Sequence, residues 1–328
     1  MKILFSHKFE EIISIDNLLE AWREFIKGKR NKKDVQEFSL RLTDNIFALQ
    51  ADLANLSYKH GGYQAFKIND PKPRNIHKAS VRDRLLHHAI YRQLYPFFDR
   101  VFTSDSYSCR LNKGTHKAIN RFRSFFHKVS KNNTKTCWVL KCDIRKFFDN
   151  IDHQILIKIL ENYIPDKNII WLLKEIINSF SVKQGGVGLP LGNLTSQLFV
   201  NIYMNEFDQF VKHKIKARHY IRYADDFVIL SYDRAYLSNL IQPIKEFLPE
   251  GLKLELHPKK FSISTIASGV DFLGWVSFAD HRILRTKTKQ RMFKRINDKN
   301  RQSYLGMLGY GNARKLEQRI SENLGWRS

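Results

Sequence analysis

Two adjacent acidic residues, Asp225 and Asp226, lie between two apolar arms in the segment Ile221–Leu230. The arms are rich in β-branched and aromatic residues, so the pattern predicts a β-hairpin with the acids at its tip. Aspartate is also common in solvated turns, and the pair alone is equally compatible with a plain surface turn. A functional role for the hairpin therefore requires a further carboxylate on a neighbouring strand.

That carboxylate is supplied by Asp143, which ends the predicted strand Trp138–Asp143. It meets the hairpin if the strands are neighbours in one sheet. Joining a nucleotide to a 3′-hydroxyl requires the attacking oxygen to lose its proton and places charge on the leaving pyrophosphate, and two Mg²⁺ ions meet both needs. Mg²⁺ prefers carboxylate oxygens and few protein ligands. We therefore predict that Asp143, Asp225 and Asp226 bind two Mg²⁺ ions, for which Mn²⁺ can substitute.

The net charge of the chain indicates its class of partner. The 328 residues include 56 lysines and arginines against 32 acidic residues, which gives +24. Such an excess favours phosphate backbones over an anionic membrane surface. The three cysteines lack metal-site spacing, and an odd count without a secretory signal predicts reduced thiols in the cytoplasm. No apolar run is long enough to span a bilayer, so no membrane partner is expected.

Periodicity predicts a chain that mixes helices and strands. A helix is expected over residues 16–30 with Asp16 as its N-cap, and one longer helix is expected to run from about Asp34 to Leu56. Asp152 is expected to cap a further helix. The remaining expectations are strands over 63–68, 253–256 and 272–275, a helix over 234–247, and a basic helical tail over 281–301.

Basic side chains cluster in segments suited to nucleic-acid contact. Residues 72–84 carry five lysines and arginines against one aspartate, and residues 281–301 carry nine against one. Solvated charged faces are the alternative, and around Arg110 arginines that cover buried aromatic residues account for the pattern equally well. The residues predicted to bind nucleic acid are Arg84, Arg110, Lys287, Lys289, Arg291 and Lys294.

A glycine-rich loop over residues 185–193 precedes another predicted helix. Such a loop can bring backbone close to a ligand. It lacks both glycine patterns typical of phosphate-binding loops, so as a phosphate site the signal is weak.

These motifs together resemble reverse transcriptases over roughly residues 60–276. Tyr223-Ala224-Asp225-Asp226 is similar to the family's catalytic hairpin, and Lys141–Phe148 is similar to its first metal-binding strand. The specificity comes from the order and approximate spacing of the motifs. The resemblance implies an α+β right-hand polymerase with fingers, a palm of antiparallel sheet plus helices, and a short helical thumb.

The resemblance also implies roles for single residues. Phe148 matches the bulky residue that lies under the sugar and disfavours a 2′-hydroxyl, and Lys260 matches a lysine proposed to protonate pyrophosphate. The implied catalytic residues are thus Asp143, Asp225, Asp226 and Lys260. The implied dNTP-binding residues are Lys67, Arg74, Phe148, Leu191, Gly192 and Gln197, and the implied primer grip is Phe272, Leu273 and Gly274.

The loop Leu191–Gln197 narrows the resemblance. Group II intron and retron relatives usually have Gln-Gly at its start and Ser-Pro at its end, whereas this chain has Leu-Gly-Asn-Leu-Thr-Ser-Gln. That loop is similar to the reverse transcriptases of diversity-generating retroelements, which are encoded by bacteria or phages. The likeness implies copying of a template-repeat RNA into cDNA with errors opposite adenine. It also implies an RNA template, a DNA or RNA primer, dNTPs and a small, basic, oligomeric accessory protein as partners.

The expected division is an N-terminal helical extension over residues 1–59, fingers and palm over 60–276, and a basic helical thumb over 277–328. About 50 residues follow Trp275, so neither an RNase H domain nor an endonuclease is expected. Two alternatives stay open: a defence-type bacterial reverse transcriptase of the same fold, and a catalytically silent RNA-binding scaffold. Phe148 argues against an RNA-copying RNA polymerase.

Overall fold

The computed structural model describes residues 3–69, 73–182 and 185–324, and the chain forms two compact units. Unit 1 takes the segments up to Thr103, Ile144–Phe210 and Lys245–Glu255. Unit 2 takes Ser104–Asp143, Val211–Ile244 and the chain from Leu256 onward. Each unit thus draws on separated stretches of sequence, and the division at residues 60 and 277 stays a prediction.

The elements follow one another in a mixed helix and strand order. The helices are α1 Phe9–Ile13, α2 Ile15–Phe25, α3 Lys33–Leu40, α4 Leu42–Ala54, α5 Val81–Val101, α6 Thr115–Val129, α7 His153–Glu161, α8 Lys167–Asn178, α9 Leu194–Gln209, α10 Arg234–Leu252, α11 Thr286–Arg295, α12 Arg301–Leu308 and α13 Arg314–Leu324. The strands are β1 Tyr63–Ile68, β2 Arg74–Ala79, β3 Trp138–Asp143, β4 Tyr220–Tyr223, β5 Asp226–Ser231, β6 Ser262–Thr265, β7 Val270–Phe272, β8 Trp275–Ser277 and β9 Arg282–Leu284.

Unit 1 is mainly helical and carries one two-stranded antiparallel ribbon, β1–β2. Its core includes α2, α5 and α9, which pack in succession. Ser80 caps α5 by accepting a hydrogen bond from the backbone of Asp83, which supports the entry into the helix. Helix α9 is buried nearly all round, because every residue from Leu198 to Asn205 is buried.

Unit 2 contains two antiparallel sheets. The first has the strand order β4-β5-β3-β6, and α6 packs against β4 and β5. One core cluster joins Phe122 and Phe125 of α6 to Val139 and Val228 of the sheet. The second sheet, β7-β8-β9, packs with α11, α12 and α13 in a cluster around Trp275 and Met292. The predicted α+β character is therefore present, with antiparallel sheets.

Two N-terminal expectations are wrong in detail. The N-cap of α2 is Ser14, whose hydroxyl accepts from the backbone of Asn17, while Asp16 lies inside the first turn. The expected single long helix is broken at Arg41, which has φ −125° and ψ 42°. The side chain of Asn45 bridges the break by donating to the carbonyl of Phe38 at 3.0 Å. The apolar spacing of three and four is satisfied equally well by two shorter helices, so it could not reveal the break.

Two predicted strands are also wrong. Of residues 253–256 only Leu256 makes a strand-like bridge, since Lys253 has φ 49° directly after α10. The segment Phe272–Trp275 is not one strand: Phe272 ends β7, Trp275 begins β8, and Leu273 at φ 53° and Gly274 at φ 87° form the tight turn between them. Two positive φ values in a two-residue loop are the signature of a type I′ hairpin turn. The expected basic tail helix is in fact β9 followed by α11.

None of the helices in the described ranges combines the length and apolar character that crossing a bilayer requires.

Gly311 tests how tightly unit 2 is packed after α12. A Cβ at this position would lie 2.1 Å from Cζ3 of the buried Trp275. We expect Gly311→Ala to lower the stability of unit 2 by about 1–3 kcal/mol, because the ring must move to admit the methyl group. Thermal unfolding followed by tryptophan fluorescence and circular dichroism measures the effect.

Gly306 offers a matched control in the same region. It lies inside α12, and a Cβ there meets nothing within 4 Å. Gly306→Ala should therefore be neutral or stabilising by up to about 1 kcal/mol through helix propensity. Equal unfolding temperatures for the two variants would contradict the close approach of Gly311 to Trp275.

Candidate active site

The three predicted metal-binding aspartates come together at one end of the four-stranded sheet of unit 2. Strand β3 pairs antiparallel with β5, and Asp143 stands opposite Asp226. Strand β4 pairs with β5, and Tyr223 also stands opposite Asp226. Ala224 and Asp225 alone make the turn between them. The hairpin expected from the sequence is thus present with its acids at the tip, beside the acid that ends β3.

The turn itself has an unusual backbone. Ala224 has φ 55°, a left-handed conformation at the first central position of a two-residue turn, where glycine is preferred. For a residue with a Cβ this conformation costs about 1–2 kcal/mol. The turn is therefore held in place by its surroundings rather than by its own preference.

Arg222 provides part of that support. Its side chain is 0% exposed, and its guanidinium donates from Nη1 to the carbonyl of Ala224 at 3.1 Å and from Nη2 to Oγ of Ser106 at 3.0 Å. Its backbone pairs with the segment Asp105–Tyr107 on the outer edge of β4. Sequence reasoning missed this residue. The available signal was a charged residue inside an otherwise apolar strand arm.

The electrostatics of the site favour a bound cation. Burial, together with the neighbouring charges of Asp225 and Asp143, raises the pKa of the Asp226 carboxyl to about 6, while Lys141 opposes the rise. Three carboxylates at one strand end repel one another when all are ionised. A positive charge placed between them would relieve that repulsion.

One such charge comes from the protein. Nζ of Lys260 lies 3.0 Å from both carboxylate oxygens of Asp143. The resemblance had implied a place for Lys260 near the reacting groups, and the structure brings it to the same strand end. Its role as a proton donor stays a prediction, because the contact shown is an ion pair with a carboxylate.

The donor set fits a divalent metal that is completed by substrate. Within residues 3–69, 73–182 and 185–324, no three His, Cys, Asp or Glu side chains are arranged to hold a metal ion by themselves. Mg²⁺ is usually bound through one or two carboxylates together with substrate phosphates and water, and rarely in a cage made only of protein. Asp143 and Asp226, which face each other across the β3–β5 pair, fit that mode, with Asp225 adjacent.

Several predicted dNTP-binding residues lie together in unit 1. The backbone of Leu189 donates to the carbonyl of Phe148 at 2.9 Å, and the backbone of His77 in β2 donates to the carbonyl of Leu191 at 2.9 Å. Gly192 has φ 108°, and a Cβ there would lie 2.7 Å from Cγ2 of Ile76. The loop is therefore fixed along β2 at a position that needs glycine. Gln197 is half-buried at the start of α9.

The β1–β2 ribbon carries the other two predicted dNTP-binding residues. Ile68 pairs with Arg74, and Lys67 pairs with Asn75. Directly opposed residues share a face of the ribbon, so Lys67 and Arg74 project from opposite faces. Both side chains are exposed. Strand β2 itself was not expected, because its basic composition resembles a solvated connection.

The predicted primer grip is the type I′ turn of the second sheet in unit 2. Phe272 is buried in the core, whereas Leu273 and Gly274 are half-buried at the turn. The carbonyl of Gly274 accepts from the backbone of Arg285 at 3.0 Å. The turn thus has a fixed position next to the start of α11.

The residues predicted to bind nucleic acid separate into two groups. Arg84 pairs with Asp34 at 2.5 Å and lies over the ring of Phe25, so its contacts are internal. Arg110 donates to the carbonyl of Ser106 at 3.0 Å. The four α11 residues reach the surface to differing degrees: Lys287 and Lys294 are exposed, and Lys289 and Arg291 are half-buried.

Comparison with known proteins adds an independent finding. The family model described as "Reverse transcriptase (RNA-dependent DNA polymerase)" matches residues 66–277. The chain is 27% identical over 247 residues to Protein YkfC of Escherichia coli (strain K12), covering 64% of this chain and 63% of that protein. It is 23% identical over 295 residues to the group II intron-encoded protein LtrA of Lactococcus lactis subsp. cremoris, covering 70% of this chain and 47% of that one.

A third relative is the putative COX1/OXI3 intron 1 protein of Saccharomyces cerevisiae, which is 27% identical over 252 residues. Those residues are 70% of this chain and 28% of the yeast protein. The chain therefore spans less than two thirds of the length of each of these three relatives.

The raised pKa of Asp226 predicts a pH-dependent stability in metal-free protein. The folded-state pKa of Asp226 is about 6, above the ordinary value near 3.9. The stabilising contribution of this carboxyl to the free energy of unfolding is therefore fully present below about pH 3.9 and is lost as the pH rises through 6. Two pKa units correspond to about 3 kcal/mol. In EDTA, Asp226→Asn should therefore raise the unfolding temperature at pH 7.5 and have little effect at pH 4.5.

Asp298→Asn serves as the control, because Asp298 is exposed and the charge change is the same. An equal shift for both variants at pH 7.5 would show that overall charge, rather than crowding at the strand end, sets the effect.

Proposed function

Since the chain belongs to the reverse transcriptase (RNA-dependent DNA polymerase) family, we propose that it copies an RNA template into DNA by adding deoxynucleotides to a primer. The observation that carries this proposal is the β3–β5 register, which sets Asp143 opposite Asp226 with Asp225 at the adjoining turn. A chain that had kept only the fold as a scaffold would not need to hold three repelling carboxylates in one place. A defence-type reverse transcriptase of the same fold shares this site.

The residues of unit 2 have separate tasks in the proposed reaction. Asp143, Asp225 and Asp226 would hold the divalent ions, and Arg222 keeps the turn in shape. Bound Mg²⁺ supplies charge neutralisation at the attacking and leaving oxygens. Lys260 moves from Asp143 to a leaving-group oxygen when substrate binds, and donates a proton there.

The substrate choice is proposed to depend on unit 1. Phe148 precludes a 2′-hydroxyl and so selects dNTPs, while Leu191, Gly192 and Gln197 contact the nucleotide along β2. Arg74 is the better candidate of the two ribbon residues for the triphosphate, since Lys67 projects from the opposite face. Arg84 is left out of the nucleic-acid path, because its contacts are internal.

The finer proposal is that the chain serves a diversity-generating retroelement. It is supported by the loop Leu191–Gln197, in which Leu191 stands where related enzymes usually have glutamine. An apolar side chain there removes a polar contact that could test pair geometry, and discrimination depends on such differential contacts. A small basic accessory protein and a cytoplasmic location belong to the same proposal.

Asp225→Asn tests the reaction. We expect it to lower Mg²⁺-dependent dNTP incorporation on a primed RNA by roughly 100-fold or more, because metal binding supplies several kcal/mol of transition-state stabilisation. Asp298→Asn should retain full activity, since it removes the same charge from an exposed position. Primer extension with purified protein, with and without the accessory protein, measures both.

Two outcomes would contradict the proposal. Incorporation that is unchanged in Asp225→Asn would remove the carboxylates from the chemistry. Wild-type protein that binds primed RNA but incorporates no dNTP under either condition would favour the RNA-binding scaffold. Preference for NTPs over dNTPs would instead overturn the role of Phe148.

Leu191→Gln tests the subtype. If Leu191 permits errors at adenine, the variant should lower misincorporation opposite template adenines and leave the other three bases little changed. Sequencing of cDNA made on a template with all four bases gives the error rate at each. Leu194→Gln in the same loop is the control, because it adds the same amide at a position that is not assigned to the nucleotide.

If the wild type misincorporates equally often opposite all four template bases, the diversity-generating proposal is wrong, while the polymerase proposal is unaffected. An unaltered adenine error rate in Leu191→Gln would remove only the role proposed for this side chain.

A further inference from the structure

Unit 2 contains a cavity of about 210 Å³ away from the catalytic strand end. Its walls come from α6, from the hairpin that joins β8 to β9, and from the connection between α12 and α13. None of Asp143, Asp225 and Asp226 is among the lining residues. The proposed polymerase reaction therefore does not account for it.

A buried arginine lines the cavity. Arg282 is 8% exposed, and its Nη2 donates to Oδ1 of Asn120 at 3.1 Å. Its Nη1 is buried and has no hydrogen-bond partner among the residues that the structure describes. In the same described ranges no carboxylate forms an ion pair with Arg282. A buried guanidinium with an unsatisfied donor is costly unless a ligand completes it.

The other charged groups around the cavity give it a net positive character. Arg123 lines it, and the proximity of Arg123 adds to burial in lowering the pKa of Arg282. Asp280 is the acidic residue of the lining, but its carboxylate accepts from Nδ1 of His281 at 2.7 Å and is 81% exposed. Asp280 therefore partners His281 rather than the buried guanidinium.

Aromatic rings form much of the remaining wall. Phe278 and His281 stack with their centroids 4.7 Å apart, and Tyr310, which is 41% exposed, stacks on His116 at 3.6 Å. Guanidinium groups bind phosphate oxygens in pairs, and aromatic rings accept bases by stacking without regard to sequence. The volume is below the roughly 300–1,000 Å³ of pockets that enclose drug-sized ligands, so it suits a phosphate group rather than a whole cofactor.

We propose that this cavity binds one nucleotide phosphate between Arg282 and Arg123, with the attached base against the rings of His281 or Tyr310. The favoured source is a single-stranded stretch of nucleic acid, because the charge of +24 draws in polyanions ahead of free nucleotides. The inference rests on the proposed function only in assuming that the chain handles nucleic acid. Binding here needs no metal and no polymerisation.

The test measures binding of a fluorescent single-stranded oligonucleotide to the full chain in EDTA. We expect Arg282→Gln and Arg123→Gln each to weaken binding about tenfold and to flatten the slope of log affinity against log salt by about 0.7, the loss of one phosphate contact. Lys299→Gln removes an equal charge from an exposed position of unit 2 and should have a much smaller effect. Primer extension by the same preparations tests the proposed function separately.

A second arm separates the two sources of phosphate. AMP and inorganic phosphate are each added to the wild type and to both arginine variants, and the unfolding temperature is recorded. If AMP stabilises the wild type but neither variant, while all three proteins bind the oligonucleotide equally well, the site binds a free nucleotide and not a single strand. If circular dichroism shows that Arg282→Gln does not fold, the binding measured with Arg123→Gln tests the site instead, because Arg123 is exposed and its variant should fold. If both arginine variants bind the oligonucleotide and AMP as tightly as the wild type does, the proposed site is wrong.

Discussion

The pairing register of β3 and β5 is the constraint on which the site depends. The interior of β5, Phe227–Leu230, is buried on both faces, so a slip of one residue would not expose apolar side chains. It would instead draw Asp226 or Asp143 toward that apolar interior, and burying an unpaired carboxylate costs several kcal/mol. The acids at the strand ends therefore help to fix the register that places Asp143 opposite Asp226.

Charge repulsion and backbone strain both raise the free energy of the same strand end, and a bound cation would relieve the repulsion. Burial and the charges of the neighbouring carboxylates raise the pKa of Asp226, and Ala224 holds a left-handed conformation. Lys260 offsets part of the charge through Asp143, and Arg222 supports the turn through its hydrogen bond to the carbonyl of Ala224. Sites of this kind are organised in advance for a charged ligand, and the surrounding packing supplies the stability they lack.

The parts of the fold that the sequence predicted well have local causes. The hairpin β4–β5 follows from β-prone arms around two acids, and Asp152 caps α7 because a side-chain acceptor is needed at that helix start. The misses depend on distant contacts. Strand β2 is basic and half-exposed, and Leu273 takes a positive φ that leucine rarely adopts outside a supporting core.

The candidate site shows the same division between local and distant information. The three aspartates could be found from the sequence, because carboxylates that follow β-prone segments in this order are typical of a metal-binding strand end. Arg222 could not be assigned, since its value lies in hydrogen bonds to Ala224 and to Ser106, 116 residues earlier in the chain. The roles of Phe148, Leu191, Gln197 and the α11 lysines stay predictions, because they depend on substrate.

The sheet order has a consequence for the chain as it is synthesised. Strand β3 is a central strand, and both of its partners, β5 and β6, come later in the sequence. At about 5–20 residues per second, β3 waits roughly 5–20 s before β5 has been made. During that interval both of its hydrogen-bonding edges lack their native partner strands, which is the situation in which strands associate with the wrong neighbour. The yield of folded protein should therefore depend on how the nascent chain is shielded until the β4–β5 hairpin emerges.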